Sequence, residues 1–200
     1  MPRTIVSQIV AAAPLGVGLA PSDVQVWKKT PFVNDLCAAV QESDMPALFS
    51  LMEKADWMVA NLATSLLRKF KDDPKVRRQY VDVWCNWGRP LEVRLCVMYP
   101  LLDYPDLERE LHGEFFATIM QNTDRFKAFA LTYFATPNDV LPTAIDRIKT
   151  ATPSKLWIYL CNALASPDVA GARAFIESNT GNSDQFVARV ARTLLSQFWR

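Results

Sequence analysis

Histidine chemistry in this chain would have to pass through one imidazole. The sequence holds a single histidine, His112, in the run DLERELHGEF. Glu108, Glu110 and Glu114 surround it, so carboxylates are at hand for general acid–base work or for a cation. The spacings that metal sites use are missing: there is no HExxH, and Arg109 stands where a Glu-x-x-His pair needs its acid. A Ser-His-Asp or Cys-His arrangement would need His112 too, and no nucleophile lies close to it in sequence. Six scattered glycines form none of GxxxxGK[ST], GxGxxG or GxSxG. Carboxylate pairs such as Asp103/Asp106 and Glu110/Glu114 fit the solvated face of an amphipathic helix. His112 reads as a surface histidine on that face, and the chain as non-catalytic, with no metal site and no cofactor site.

Binding chemistry has better material. Arg68, Lys69, Lys71, Lys75, Arg77 and Arg78 form the one concentrated basic segment, broken by Asp72-Asp73-Pro74. Cations in the last turn of a helix complement its dipole, which gives Arg68, Lys69 and Lys71 a structural reading. Lys75, Arg77 and Arg78 are the candidates for an acidic partner or a phosphate backbone. Tyr80 and Trp84 could stack on bases, but their helical spacing assigns them to the core. Six tryptophans are present. Trp27, beside Lys28 and Lys29, and Trp199, next to the terminus, are the candidate interface anchors, since buried aromatics dominate binding hot spots. The alternative for both is to cover the raw ends of the fold.

The bulk numbers set the frame. Two hundred residues suffice for a domain with a sizeable core, and a 22% charged fraction is ordinary for a globular chain. A net charge of +1 gives no global attraction to nucleic acid or anionic membrane. Cys37, Cys85, Cys96 and Cys161 make no CxxC pair and read as buried thiols. No run of eighteen apolar residues occurs. Residues 1–22 contain no acid, one arginine and three prolines. They read as an extended, apolar arm, with a targeting segment as the alternative. The organisation expected is an arm over residues 1–30 and one helical domain over 31–200.

The elements that position these residues follow from punctuation. Pro46, Pro74, Pro105, Pro137 and Pro167 lie 28, 31, 32 and 30 residues apart, each between two apolar-periodic stretches. Asp73-Pro74, Thr136-Pro137 and Ser166-Pro167 pair a capping residue with a proline at the first helical position. Each proline therefore opens the second helix of a hairpin. The apolar positions behind them recur every three or four residues: Leu48, Leu51, Met52 and Ala55; Val76, Tyr80, Val83, Trp84 and Trp87; Leu107, Leu111, Phe115 and Ile119; Val140, Leu141, Ile145 and Ile148; Val169, Ala172 and Ile176. In the first helices, the position nine before each proline holds Cys37, Ser65, Cys96, Ala128 and Ile158. The position seven before holds Ala39, Leu67, Met98, Ala130 and Leu160, and both registers suit close packing against neighbours. Gly88-Arg89-Pro90 separates two helices, Asn122–Asp124 caps another, and Thr152-Pro153 opens the helix carrying Trp157. A final helix, about Gln185–Arg200, caps the array.

About five hairpins with a period near 31 residues over 31–200 resemble the α-solenoid class, which includes TPR, pentatricopeptide and HEAT-like arrays. The period is shorter than in those families, the TPR signature is absent, and no functional residue carries over. The resemblance implies an all-α fold of stacked hairpins with an extended surface for a partner. The expectation is a scaffold or adaptor subunit that binds other protein subunits of a larger assembly, in the cytosol or mitochondrion. The alternatives are an RNA-binding helical repeat, with Lys75, Arg77 and Arg78 lining a groove, and a viral capsid or nucleocapsid-like helical protein.

Overall fold

The computed structural model describes residues 6–7, 31–54, 56–131, 142, 144–146, 155–165 and 171–199. Among these residues every element is helical and no strand occurs. The chain divides into two compact units, residues 1–110 and 111–200.

In the first unit, α1 (Pro31–Ala39) leads through a 3₁₀ turn at Glu42–Asp44 into α2 (Met45–Met52). Next come α3 (Trp57–Leu67), a 3₁₀ turn at Arg68–Phe70, α4 (Pro74–Cys85) and α5 (Leu91–Leu101). The long helix α6 (Pro105–Gln121) begins in this unit. Its starts follow the proline signals: Pro46 lies in the first turn of α2, and Pro74 and Pro105 open α4 and α6. Asp73 caps α4 as its residue type requires, accepting the Lys75 N–H at 2.7 Å. Asp56 caps α3, accepting from Met58 and Val59 at 2.9 and 3.3 Å.

Two kinds of helix divide the labour. From Met58 to Leu67 every residue of α3 except Ser65 is buried, and α5 is buried nearly all round. A helix apolar on all sides belongs in the middle of a packed body. Accordingly α3 packs on α5, α2 packs on α3, and α4 packs on α5. Helix α4 is amphipathic: Val76, Tyr80, Val83 and Trp84 are buried while Lys75, Arg78 and Asp82 face solvent. Burying Tyr80 and Trp84 contributes about 1.5–3 kcal/mol each. This settles both aromatics as core.

The second unit contains the rest of α6, then α7 (Thr123–Leu131), α8 (Leu156–Asn162) with a 3₁₀ turn at Ala163–Ala165, α9 (Ala172–Glu177) and α10 (Gln185–Phe198). Helices α8 and α9 both pack on α10, and α7 packs on the Ala163–Ala165 turn. Val187, Ala188, Val190, Ala191 and Leu194 form the buried stripe of α10. Gly171 precedes α9 with φ 95°, in the left-handed region that favours glycine.

Several expectations need correction. Cys96 and Cys161 are buried, but Cys37 and Cys85 are exposed; all four thiols are free. Burial alone pushes the Cys161 thiol pKa well above its usual range. In the first helices, the position seven before the proline is buried at Leu67, Met98, Ala130 and Leu160 but exposed at Ala39. The position nine before is exposed at Cys37, Ser65 and Ala128, so small size there does not mark a helix contact. Asn122 and Thr123 do not cap the next helix through their side chains. They bond back to the carbonyls of Thr118, Ile119 and Met120, closing the end of α6, and α7 starts at Thr123 with hardly a break. Ile145 is 38% exposed while Ala144 is buried, one residue off the expected apolar stripe. Val6 and Ser7, in the segment read as an extended arm, are helical. Thr136-Pro137, Thr152-Pro153 and Ser166-Pro167 lie outside the described residues, as do Trp27, Lys28 and Lys29.

Candidate functional site

Three residues of the basic segment, Arg68, Lys69 and Arg77, are committed inside their own unit. Lys69 reaches across to the C-terminus of α1, where its Nζ donates to the carbonyls of Cys37, Ala38 and Val40 at 3.3, 3.2 and 2.9 Å. Its ammonium satisfies carbonyls that have no helical partner and meets the negative end of the α1 dipole. The dipole reading of Lys69 thus holds for a different helix from its own. Arg68 pairs with Asp103 at 2.6 Å. Arg77 pairs with Asp106 and lies over the Tyr104 ring at 5.5 Å. Hydrogen bonding from Arg77 holds the Asp106 carboxyl below its usual pKa. The Tyr104 hydroxyl in turn donates to the Lys71 carbonyl at 2.7 Å. Of the three candidates, Lys75 and Arg78 are exposed, with Asp82 at 3.9 Å from Arg78, while Arg77 is half-buried in its pair. Trp199 follows α10, half-buried, with its ring edge-on to Phe198 at 6.4 Å.

The residue that sequence reasoning misplaces is Trp87. Its spacing from Val83 and Trp84 puts it on the apolar face of α4. The helix ends at Cys85, two residues earlier, and Trp87 stands in the turn, 65% exposed. The turn is held from three sides. Asn86 accepts the Gly88 N–H through its side chain at 3.1 Å and the Arg89 N–H through its carbonyl, also at 3.1 Å. A Cβ on Gly88 would stand 3.3 Å from Asn86 Oδ1, tight against the bond that shapes the turn. Arg89 donates to the Glu53 carbonyl at 2.8 Å, and its guanidinium lies 3.7 Å from the Glu53 carboxylate, tying the turn to the end of α2. Gln79 reaches the same carboxylate at 3.3 Å.

Beneath the indole sits Arg94, a buried residue of α5. Its Nε donates to the Trp84 carbonyl at 2.8 Å. Its guanidinium lies 4.6 Å from the centre of the Trp84 ring and 3.7 Å from that of Trp87. A cation stacked this closely on an indole contributes about 1–2 kcal/mol and fixes the ring's orientation. One face of Trp87 is therefore held by Arg94 while much of the indole remains open to solvent. Cys85, Asn86, Gly88 and Pro90 around it are exposed as well.

No family model matches the chain, and neither a curated protein nor a solved structure matches it. Function has to be argued from the residues themselves. Among the described residues no group of three or more His, Cys, Asp and Glu side chains is arranged to hold a metal. No helix among them is long and apolar enough to cross a membrane. His112, read from the sequence as a surface residue, is half-buried, its ring tilted 43° against that of Phe186 at 3.9 Å between centres.

Proposed function

We propose that this chain is a non-catalytic scaffold or adaptor subunit that binds another protein, with the Trp87 turn as an anchor of the interface. The observation that carries the reading is an indole 65% exposed yet pinned by Arg94 at 3.7 Å. Exposing a large aromatic side chain gains nothing for a lone domain. Tryptophan is prominent among interface hot spots, and a pre-ordered anchor loses little entropy on binding. The stacked-hairpin arrangement belongs to the same proposal. It is supported by helices that begin at Pro46, Pro74 and Pro105 and by packing of α2 on α3, α4 on α5, and α3 on α5. The helices at Pro46 and Pro74 pack on the helix after them, so each is the first member of its pair and not the second as the sequence suggests. These are the contacts that successive hairpins make when each leans on the next. A larger assembly, cytosolic or mitochondrial, is the context this role implies. Ion pairs on Arg68 and Arg77 leave the basic segment a weaker basis for an RNA-binding role.

The test is affinity purification of the tagged chain from its own source, beside Trp87→Ala, with native mass spectrometry of what is recovered. The expected result is wild-type chain in a complex with the same proteins at fixed stoichiometry. Trp87→Ala should weaken that association at least tenfold, while unfolding stays cooperative and shifts only by the lost stacking on Arg94, about 1–2 kcal/mol. Recovery of wild type as a free 22.6 kDa species, or with nuclease-sensitive RNA alone, would overturn the proposal.

A further inference from the structure

A cleft of about 470 Å³ opens in the unit formed by residues 111–200, lined by His112, Gln185, Phe186, Arg189 and Arg192. That volume lies within the range of about 300–1,000 Å³ typical of small-molecule sites. Gln185, Arg189 and Arg192 stand at i, i+4 and i+7 of α10, one stripe opposite the buried Val187, Val190 and Leu194. His112 supplies the far wall from α6.

The floor is built. Phe186 meets the His112 ring at 3.9 Å, and Arg189 lies over it at 4.9 Å. Edge-on contacts with Trp157 at 5.6 Å and Phe116 at 6.1 Å hold the Phe186 ring from below, and Trp157 is fully buried.

The charge of the lining is one-sided. It contains two guanidiniums and no carboxylate. Among the described residues neither arginine forms an ion pair, and Arg192 donates only to the neutral Thr180 carbonyl, at 2.7 Å. Like charges three apart on one helix face repel, and α10 carries no acidic residue to offset them. The helix N-terminus is already occupied, since the Asp184 carboxylate accepts the Phe186 and Val187 N–H groups at 2.8 and 3.1 Å. An anion entering the cleft would therefore be held by side chains. Guanidinium forks match the oxygens of a phosphoryl group, and two of them balance a dianion better than a single carboxylate would.

We propose that this cleft binds a small phosphate monoester, its phosphoryl group held by Arg189 and Arg192 and its organic body lying against Phe186 and His112. The cleft belongs to a different unit from the Trp87 turn, and the inference does not depend on that reading.

Phenyl phosphate is the probe, titrated into the full chain by calorimetry and amide-resolved NMR at constant ionic strength. Inorganic phosphate, phenol and a single-stranded oligonucleotide serve as comparators. The expected result is one saturable site for phenyl phosphate, weaker binding of inorganic phosphate, none of phenol, and shifts centred on α10. Arg189→Ala should weaken binding at least tenfold. Its side chain is exposed and lies over the Phe186 ring, so the fold is retained even if Arg192→Ala disturbs the Thr180 contact. Arg173→Ala, engaged with Glu177 on α9, should change nothing. Absence of saturable binding, equal affinity in Arg189→Ala, or oligonucleotide binding that phenyl phosphate does not compete would each overturn the proposal.

Discussion

Single side chains in the first unit show how charge and burial are spent on structure. Lys69 holds three carbonyls at the end of α1, so Lys69→Met, which keeps most of the apolar stem, should cost about 1 kcal/mol in urea unfolding. Amide exchange should accelerate first in α1. Tyr80 donates to the Thr64 carbonyl at 3.1 Å from a fully buried position. Burial, with a smaller contribution from Tyr104, raises its phenol pKa far above the ordinary value. A raised pKa in the folded state means stability that is complete below the unfolded value of about 10 and falls as pH rises beyond it. Tyr80→Phe should cost about 1 kcal/mol at neutral pH and flatten the alkaline loss, read from unfolding curves between pH 7 and pH 11. Trp87, by contrast, places an indole in solvent where the helical spacing suggests interior, and the Cys85 thiol, expected to be buried as an unpaired cysteine, is exposed as well.

Helices are the level at which sequence and structure agree best. Asp56, Asp73 and Asp184 each sit in extended backbone and accept amides of the first turn, as short acidic side chains at a helix start do. Asp184→Ala should destabilise α10 by about 1 kcal/mol, seen as a lower melting temperature and faster exchange at Phe186 and Val187. Helix ends are harder to read. Asn122 and Thr123 have the chemistry of caps for the following helix, yet their side chains close the preceding one. Both uses satisfy the same orphan backbone groups, and only the three-dimensional turn selects between them.

Across the whole chain, two compact units each carry one feature without an internal explanation. Residues 1–110 present Trp87 from a rigid turn, and residues 111–200 present a cationic cleft floored by Phe186. A net charge of +1 on the whole chain means that attraction to a partner is local rather than global. The complex expected around Trp87 should accordingly survive moderate salt, because its anchor is aromatic. Binding of phenyl phosphate at Arg189 and Arg192 should weaken with salt, since screening acts on exposed charges. Comparing the two salt dependences in one preparation separates the sites without further substitutions.

By itself the sequence determined that the chain is helical, where most helices begin, and which faces of them are apolar. Those properties depend on residues three or four positions apart, on proline geometry and on the short reach of Asp side chains. Tertiary structure decided the rest. Lys69 finds the end of α1 some thirty residues back along the chain, and Arg94 reaches back over the α4–α5 turn to pin Trp87. His112 meets Phe186 across an interval of more than seventy residues. Periodicity fixes which side of a helix is apolar, but which sides meet depends on packing between helices that are distant in the chain, and both candidate sites lie at such meetings.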